Sequence, residues 1–345
     1  MVSRGSVESP SRHALTASAT AFFVFLAVGC AAHTPGAAGD RSIGQVSVVP
    51  DFLSAWDVVR TAPRAEQLSR THEALLAGHP ELFGPEVFGT ALSLDRDLER
   101  LLVEMPRLEP KLRVLSERMP GEVERITRRF LDEFPELGWS GPVASSLSFS
   151  QFEAVWRTVS GRRTLVLGLD AIAYYRGPYA PMEPVVHHAL AAALLPAWAG
   201  QRPAPLWWTV WEAGFPLAAV RTIDPGVSDA DLRLPEEGRD PAVVAALARR
   251  VRTALDSTRE QDRRALLGGN GAGPAGVDVG EDGRRGIAPH YSLSPIQTGA
   301  GRWLALRVAQ KVLAGRTLHD AARLTGPQLR SAVDAALVAL ERPGS

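Results

Sequence analysis

The stretch Pro181–Ala219, PMEPVVHHALAAALLPAWAGQRPAPLWWTVWEAGFPLAA, decides how this chain is read. It holds two apolar segments joined by a Pro/Gly turn. Pro184 suits the first turn of a helix, where its missing N–H costs nothing. Pro196 closes VVHHALAAALL, because the residue before a proline leaves the α region. The second segment starts near Leu206, after Pro203-Ala-Pro205, and continues to about Ile223. Pro216 lies inside it and cannot donate to the carbonyl of Glu212, which predicts a kink one turn after that residue. Two adjacent histidines, His187 and His188, sit near the start of the first helix, and Glu212-Ala213-Gly214 lies inside the second.

These residues carry a resemblance. V-H-H-A-L-A is similar to the V-H-E-x-x-H helix of zincins, and W-E-A-G-F resembles the E-G-[LVI]-A helix of the gluzincin type. In active members two histidines four residues apart share a helix face, a downstream Glu completes the zinc site, and the Glu after the first histidine is the general base. The resemblance puts His187 at the first ligand, His188 where the catalytic Glu belongs and Ala191 at the second ligand. The third ligand falls on Glu212 or on Ala213. Aligning Gly214 with the family Gly selects Ala213 and fits the apolar pattern that follows it. His187 and His188 are neighbours, about 100° apart around a helix, and do not converge on one ion. A catalytic zinc needs three protein ligands and a water; His187 and Glu212 supply two at most.

Near the C-terminus, TGAGRWLALRVAQKVL resembles the G-Y-x-x-G helix that closes over the site in lipoproteins of this type, with Arg302 where the tyrosine is expected. A small helical hook follows over Leu318–Leu324 and Gly326–Leu340. The resemblance runs from about Asp51 to about Leu340. It implies an α+β fold, predominantly α: a zincin-like region over 141–345, with a small sheet, behind a helical N-terminal region over 51–140.

The N-terminus carries its own signal. After Arg4 and Arg12, ALTASATAFFVFLAV is too short to span a membrane with ordinary flanks and reads as a secretory signal over 1–29. Cys30 is the single cysteine and follows Leu26-Ala-Val-Gly, which resembles a bacterial lipobox with Ala27 at the position usually filled by Leu. A lipidated Cys30 would anchor the chain durably, at roughly 0.8 kcal/mol per buried CH₂. Ala31 after it resembles proteins passed to the outer membrane of diderm bacteria. Residues 30–50 are small, polar and Gly-containing, and read as a tether.

Composition sets limits. Of 345 residues, 45% are hydrophobic and 22% charged, enough for a core, and 38 basic residues balance 38 acidic ones. No global field draws in nucleic acid. Only Lys111 and Lys311 are lysines. Gly271-Ala-Gly273-Pro-Ala-Gly276 spells G-x-G-x-x-G, yet no strand precedes it and Pro274 breaks the helix it should open, so no nucleotide is expected.

Helical periodicity predicts helices over Leu92–Met105, Leu108–Arg118, Glu122–Phe134, Pro241–Ala265 and Gly301–Ala314. VASSLSF and RTLVLGL predict two strands, with a helical or loop piece around Phe152–Val159 between them. Asp170, after the second strand, is placed to cap the next segment.

Three functional readings follow. The first is an envelope lipoprotein, a pseudopeptidase without cofactor that binds a peptide or protein partner in a cleft near His188, Trp208, Trp211 and His290, with Trp207 beside them. The second is an active zinc peptidase drawing on His187, Glu212 and a further ligand such as His290. The third is a structural lipoprotein with no ligand.

Overall fold

The computed structural model describes residues 44–89, 93–197, 199–200, 204–267, 277–279, 285–287 and 299–342, all within one unit, Ser42–Ser345. Cys30, the signal segment, Gly271–Gly276 and His290 lie outside the described residues.

The chain opens with β1 (Gln45–Ser47), α1 (Val49–Val59), α2 (Arg64–Gly78), a single turn α3 (Pro85–Phe88) and the long α4 (Leu94–Glu133). The sheet segment follows as β2 (Val143–Ser146), β3 (Ala154–Val159) and β4 (Arg162–Gly168), leading into α5 (Leu169–Tyr175). Then come α6 (Glu183–Leu194), α7 (Leu206–Ile223), α8 (Pro241–Thr253), α9 (Glu260–Leu267) and an antiparallel pair, β5 (Val277–Val279) with β6 (Arg285–Ile287). Helices α10 (Gly299–Leu313), α11 (Leu318–Ala322) and α12 (Gly326–Leu340) end the chain. The fold is α+β and predominantly α, and among the described residues no helix is long and apolar enough to cross a membrane.

Four strands form one sheet in the order β1-β2-β4-β3. The first three run parallel, and β3 lies antiparallel on β4 with Val155 opposite Val166. Two expectations are corrected here. The piece around Phe152–Val159 is a strand, because Ala154, Val155 and Val159 are buried against β4 and the pattern AVWRTV suits a pleated edge. The tether expected to reach residue 50 ends earlier, since Gln45–Ser47 pairs with β2 and Val48 and Val49 enter the core.

The three helices expected between residues 92 and 134 are one helix of 40 residues, containing Pro106, Pro110 and Pro120. All three prolines are exposed. Pro110 and Pro120 stand 4 and 14 residues after Pro106 and return to the same helix face, so the hydrogen bonds they forfeit lie on the solvent side, where water replaces them. Leu98, Leu101, Leu102, Met105, Leu108, Leu112, Leu115 and Met119 form an unbroken buried stripe on the other side. The single helix expected over Pro241–Ala265 is also corrected. It stops at Thr253 and resumes at Glu260, and Asp240 caps α8 by accepting from the Ala242 N–H.

Helix α7 is the centre of the unit. Its bounds, Leu206–Ile223, are those expected, and it runs through Pro216 without a break. Nearly every residue from Leu206 to Val220 is buried, which suits a helix apolar all round. Helix α10 crosses it at Gly214, where a Cβ would stand 2.0 Å from the Ala305 carbonyl oxygen. Glycine is required there for the backbones to approach.

Candidate functional site

Helix α6 presents its two histidines to different surroundings. His187 is 1% exposed, and its Nδ1–H donates to Asp224 Oδ2 at 2.6 Å, just past the end of α7. Its ring lies 5.9 Å from that of Phe130 on α4. This hydrogen bond ties α6 to the α7 C-terminus inside the core.

His188, about 100° further round the helix, is half-buried and lines a recess between α6, the α5–α6 turn, β3 and the start of α10. The recess is small, with about 40 Å³ of room for water-sized molecules. Its charged lining is Glu153, Arg176, Asp231, Arg233 and Arg302. Phe152, Val185, Leu217 and Leu232 supply apolar wall.

Glu153, 5% exposed, is the hub of this group. Arg176, at the C-cap of α5, donates Nε to Glu153 Oε1 and Nη2 to Oε2, both at 2.9 Å, and Nη1 to the Asp231 carbonyl at 2.6 Å. Arg233 adds a third bond from Nη1 to Glu153 Oε1 at 3.2 Å, and its guanidinium lies 4.4 Å from the Tyr175 ring centroid. Arg233 sits at φ 52°, a left-handed conformation that costs a non-glycine residue energy and recurs at functional sites. Arg302, 7% exposed, donates Nη2 to the Leu232 carbonyl at 2.9 Å. The carboxylate of Asp231 faces Ser228, accepting from its N–H at 3.0 Å and its hydroxyl at 2.6 Å.

The charges leave their mark on titration. Burial, with Arg302 and Arg176 nearby, pushes the His188 pKa down to about 3, so the ring is neutral at pH 7. Burial and the repulsion of Arg233 and Arg176 lower Arg302 to about 10, against the pull of Glu153. The Tyr175 phenol is raised to about 12, chiefly by burial. With both oxygens of Glu153 held by guanidinium groups, the recess offers no free carboxylate there to act as a base. What it offers is fixed positive charge beside an apolar wall.

Below the sheet, Asp170 holds a neighbouring turn. Its Oδ1 accepts from the Ser148 N–H at 2.6 Å and hydroxyl at 3.0 Å, and its Oδ2 from the Ser150 N–H at 2.6 Å. These bonds keep Phe149 and Ser150 at positive φ, which sets Phe152 and Glu153 at the recess. Asp170 was expected to cap the following segment; its carboxylate instead reaches back to the preceding loop.

The other sequence-derived candidates are placed as follows. Glu212 is half-buried on α7. Trp207, Trp208 and Trp211 are 5%, 5% and 1% exposed and pack in the core, and none of them lines the recess. Ala191 and Ala213 are buried. Among the described residues no group of three His, Cys, Asp or Glu side chains stands close enough to hold a metal. Ala191 and Ala213 carry no ligating atom and His188 lines the recess on another side of the helix, so the described residues do not supply the three-ligand zinc site that the resemblance implies.

Sequence reading missed Glu153, Arg176, Asp231 and Arg233, which no local spacing connects. Arg302 was singled out, but as a lost tyrosine. The residue spacing does give one usable sign: β-strand alternation puts buried Glu153 next to Ala154 and Val155 at the entry of β3, where a carboxylate needs a cationic partner. No protein-family model, no curated protein and no solved structure matches this chain.

Proposed function

We propose that this chain is a lipid-anchored protein of the bacterial cell envelope, held through Cys30 at the outer membrane, whose zincin-like scaffold binds a peptide or protein partner without cleaving it. One observation carries the reading. His188 and Arg302, the positions at which the resemblance expects a catalytic Glu and a Tyr, line one recess. On this reading the recess takes the place of a peptide site, with a neutral imidazole and guanidinium groups where the resemblance expects a base and a metal. Preformed, partly apolar recesses with a few convergent polar groups are the usual form of a ligand site.

The test is to incubate the full chain in detergent with a mixed peptide library and follow both phases by mass spectrometry, with and without a chelator. The expected result is peptides retained intact on the protein and no new termini in solution. Chelator-sensitive cleavage would refute the non-catalytic reading.

A further inference from the structure

The turn between β2 and β3 is held against its own backbone preference. Phe149 and Ser150 stand at φ 52° and 60°, in a left-handed region disfavoured for residues that carry a Cβ. Two such residues in succession persist only where something outside the turn fixes them. The fixing group is the carboxylate of Asp170, fully buried at the start of α5. Its two oxygens are unequally used. Oδ1 accepts twice from the turn, from the Ser148 N–H and hydroxyl, whereas Oδ2 accepts once, from the Ser150 N–H.

A carboxylate offers only acceptors, and a carboxylic acid carries one O–H. A proton on Oδ1 would displace two donors, and a proton on Oδ2 only one, so Oδ2 is the cheaper place. There it meets the Ser150 N–H donor against donor. That bond is lost while both bonds from Ser148 remain, and the left-handed Ser150 has no holder.

The surroundings leave this charge to neutral donors. Among the described residues no cation bonds to Asp170. Strands β2 and β4 end nearby at the paired Ser146 and Gly168, neither of which titrates. On α5 the Tyr175 phenol, raised to about 12 chiefly by burial, stays neutral. Helix α4 brings Glu104 and Arg107 to Tyr174, one turn beyond Asp170. Glu153, after the turn, is engaged by Arg176 and Arg233. Burial lifts the Asp170 carboxyl above its ordinary value, against the pull of its hydrogen bonds. Because the unfolded value is then the lower one, uptake of the proton does not favour unfolding. The change stays in the turn.

We propose that the Asp170 carboxylate is a proton-operated clasp on the β2–β3 turn: charged, it holds Phe149 and Ser150 in the left-handed region, and protonated at Oδ2 it releases Ser150 and lets the turn open. The turn leads directly into Phe152 and Glu153, which line the recess, so its release reaches the recess whatever that recess binds.

The experiment is hydrogen–deuterium exchange of the full chain in detergent, read by mass spectrometry from pH 7 down to about 4, the ordinary carboxylate value. Rates are corrected for their intrinsic pH dependence, and α7 serves as the internal reference. The segment Leu147–Phe152 should lose about tenfold or more in protection as pH falls, the usual worth of one hydrogen bond to a charge, while α7 stays protected. Ser148→Ala removes the hydroxyl donor to Oδ1, makes the charge harder to hold, and should raise the midpoint of opening by about one pH unit. In Asp170→Asn an amide N–H replaces an acceptor, so the turn should already be open at pH 7. Turn protection that does not change with pH, or that is lost only together with α7, would overturn the proposal. So would an unmoved midpoint in Ser148→Ala, the variant that decides if Asp170→Asn does not fold.

Discussion

His187 and His188 are adjacent in sequence, yet one side of α6 is built for packing and the other for charge. On the first side His187 is 1% exposed, with one carboxylate partner and an aromatic neighbour. On the second, His188 opens into a recess in which Glu153 organises Arg176 and Arg233, with Arg302 alongside. The lesson is that two adjacent residues of one helix can serve different surroundings: the His187 face is filled by core, and the neighbouring face opens into a recess lined by charged groups.

The comparison can be broken most sharply at Glu153. Replacing it with Gln leaves Arg176 and Arg233 facing each other in a desolvated site, and should cost about 3–5 kcal/mol, the usual penalty for breaking a buried ion pair from one side. Denaturant unfolding at pH 7 measures it, and a loss under about 1 kcal/mol would mean that water reaches the arginines freely.

On the packing side, His187→Ala removes a buried ring and the partner of Asp224. A loss of about 2–3 kcal/mol is expected, with peptide binding unaltered. Weakened binding without loss of stability in this variant would reverse the roles assigned to the two histidines.

The acid limb of stability separates the faces by another route. The folded His188 pKa of about 3 lies below the unfolded value of about 6.5. Between the two, the unfolded chain holds the extra proton, so stability is complete above about pH 6.5 and falls as pH drops toward 3. The slope is at most about 1.4 kcal/mol per pH unit. In His188→Gln this component should vanish, flattening the curve of melting temperature against pH between about 6 and 4, both inside the linkage window, relative to wild type. Parallel wild-type and variant curves would show that His188 protonates freely in the folded chain.

The smallest effect is that of the same variant at pH 7. Glutamine keeps a donor and an acceptor, so stability should change by less than about 1 kcal/mol, while retention of peptides from the library falls. A large destabilisation with unchanged affinity would make His188 a packing residue like its neighbour.

Much of the fold was legible because its signals are local. Prolines and apolar runs placed α6 and α7, the latter expected from near Leu206 to about Ile223 and found there. The 40-residue α4 was not legible as one helix, because the cost of Pro106, Pro110 and Pro120 depends on which face they occupy. Strand β1 was hidden in a polar N-terminal stretch, since three residues acquire meaning only when β2 is beside them. The recess was the least legible part. Glu153, Arg176, Arg233 and Arg302 come from four separate segments, and only the packing of β3, α5, the loop before α8 and α10 brings them together. Arg302 was visible only as the residue standing where the resemblance expects a tyrosine; its surroundings came from the packing of the loop before α8 against α10.

The central claim is that the working face of α6 is the cationic recess and not a metal site at His187. Zinc content of the full chain by mass spectrometry, measured beside His187→Ala, tests it most directly. The account predicts far less than one zinc per chain in both proteins. One zinc per wild-type chain, lost in His187→Ala, would contradict it and return the function to metal-dependent hydrolysis.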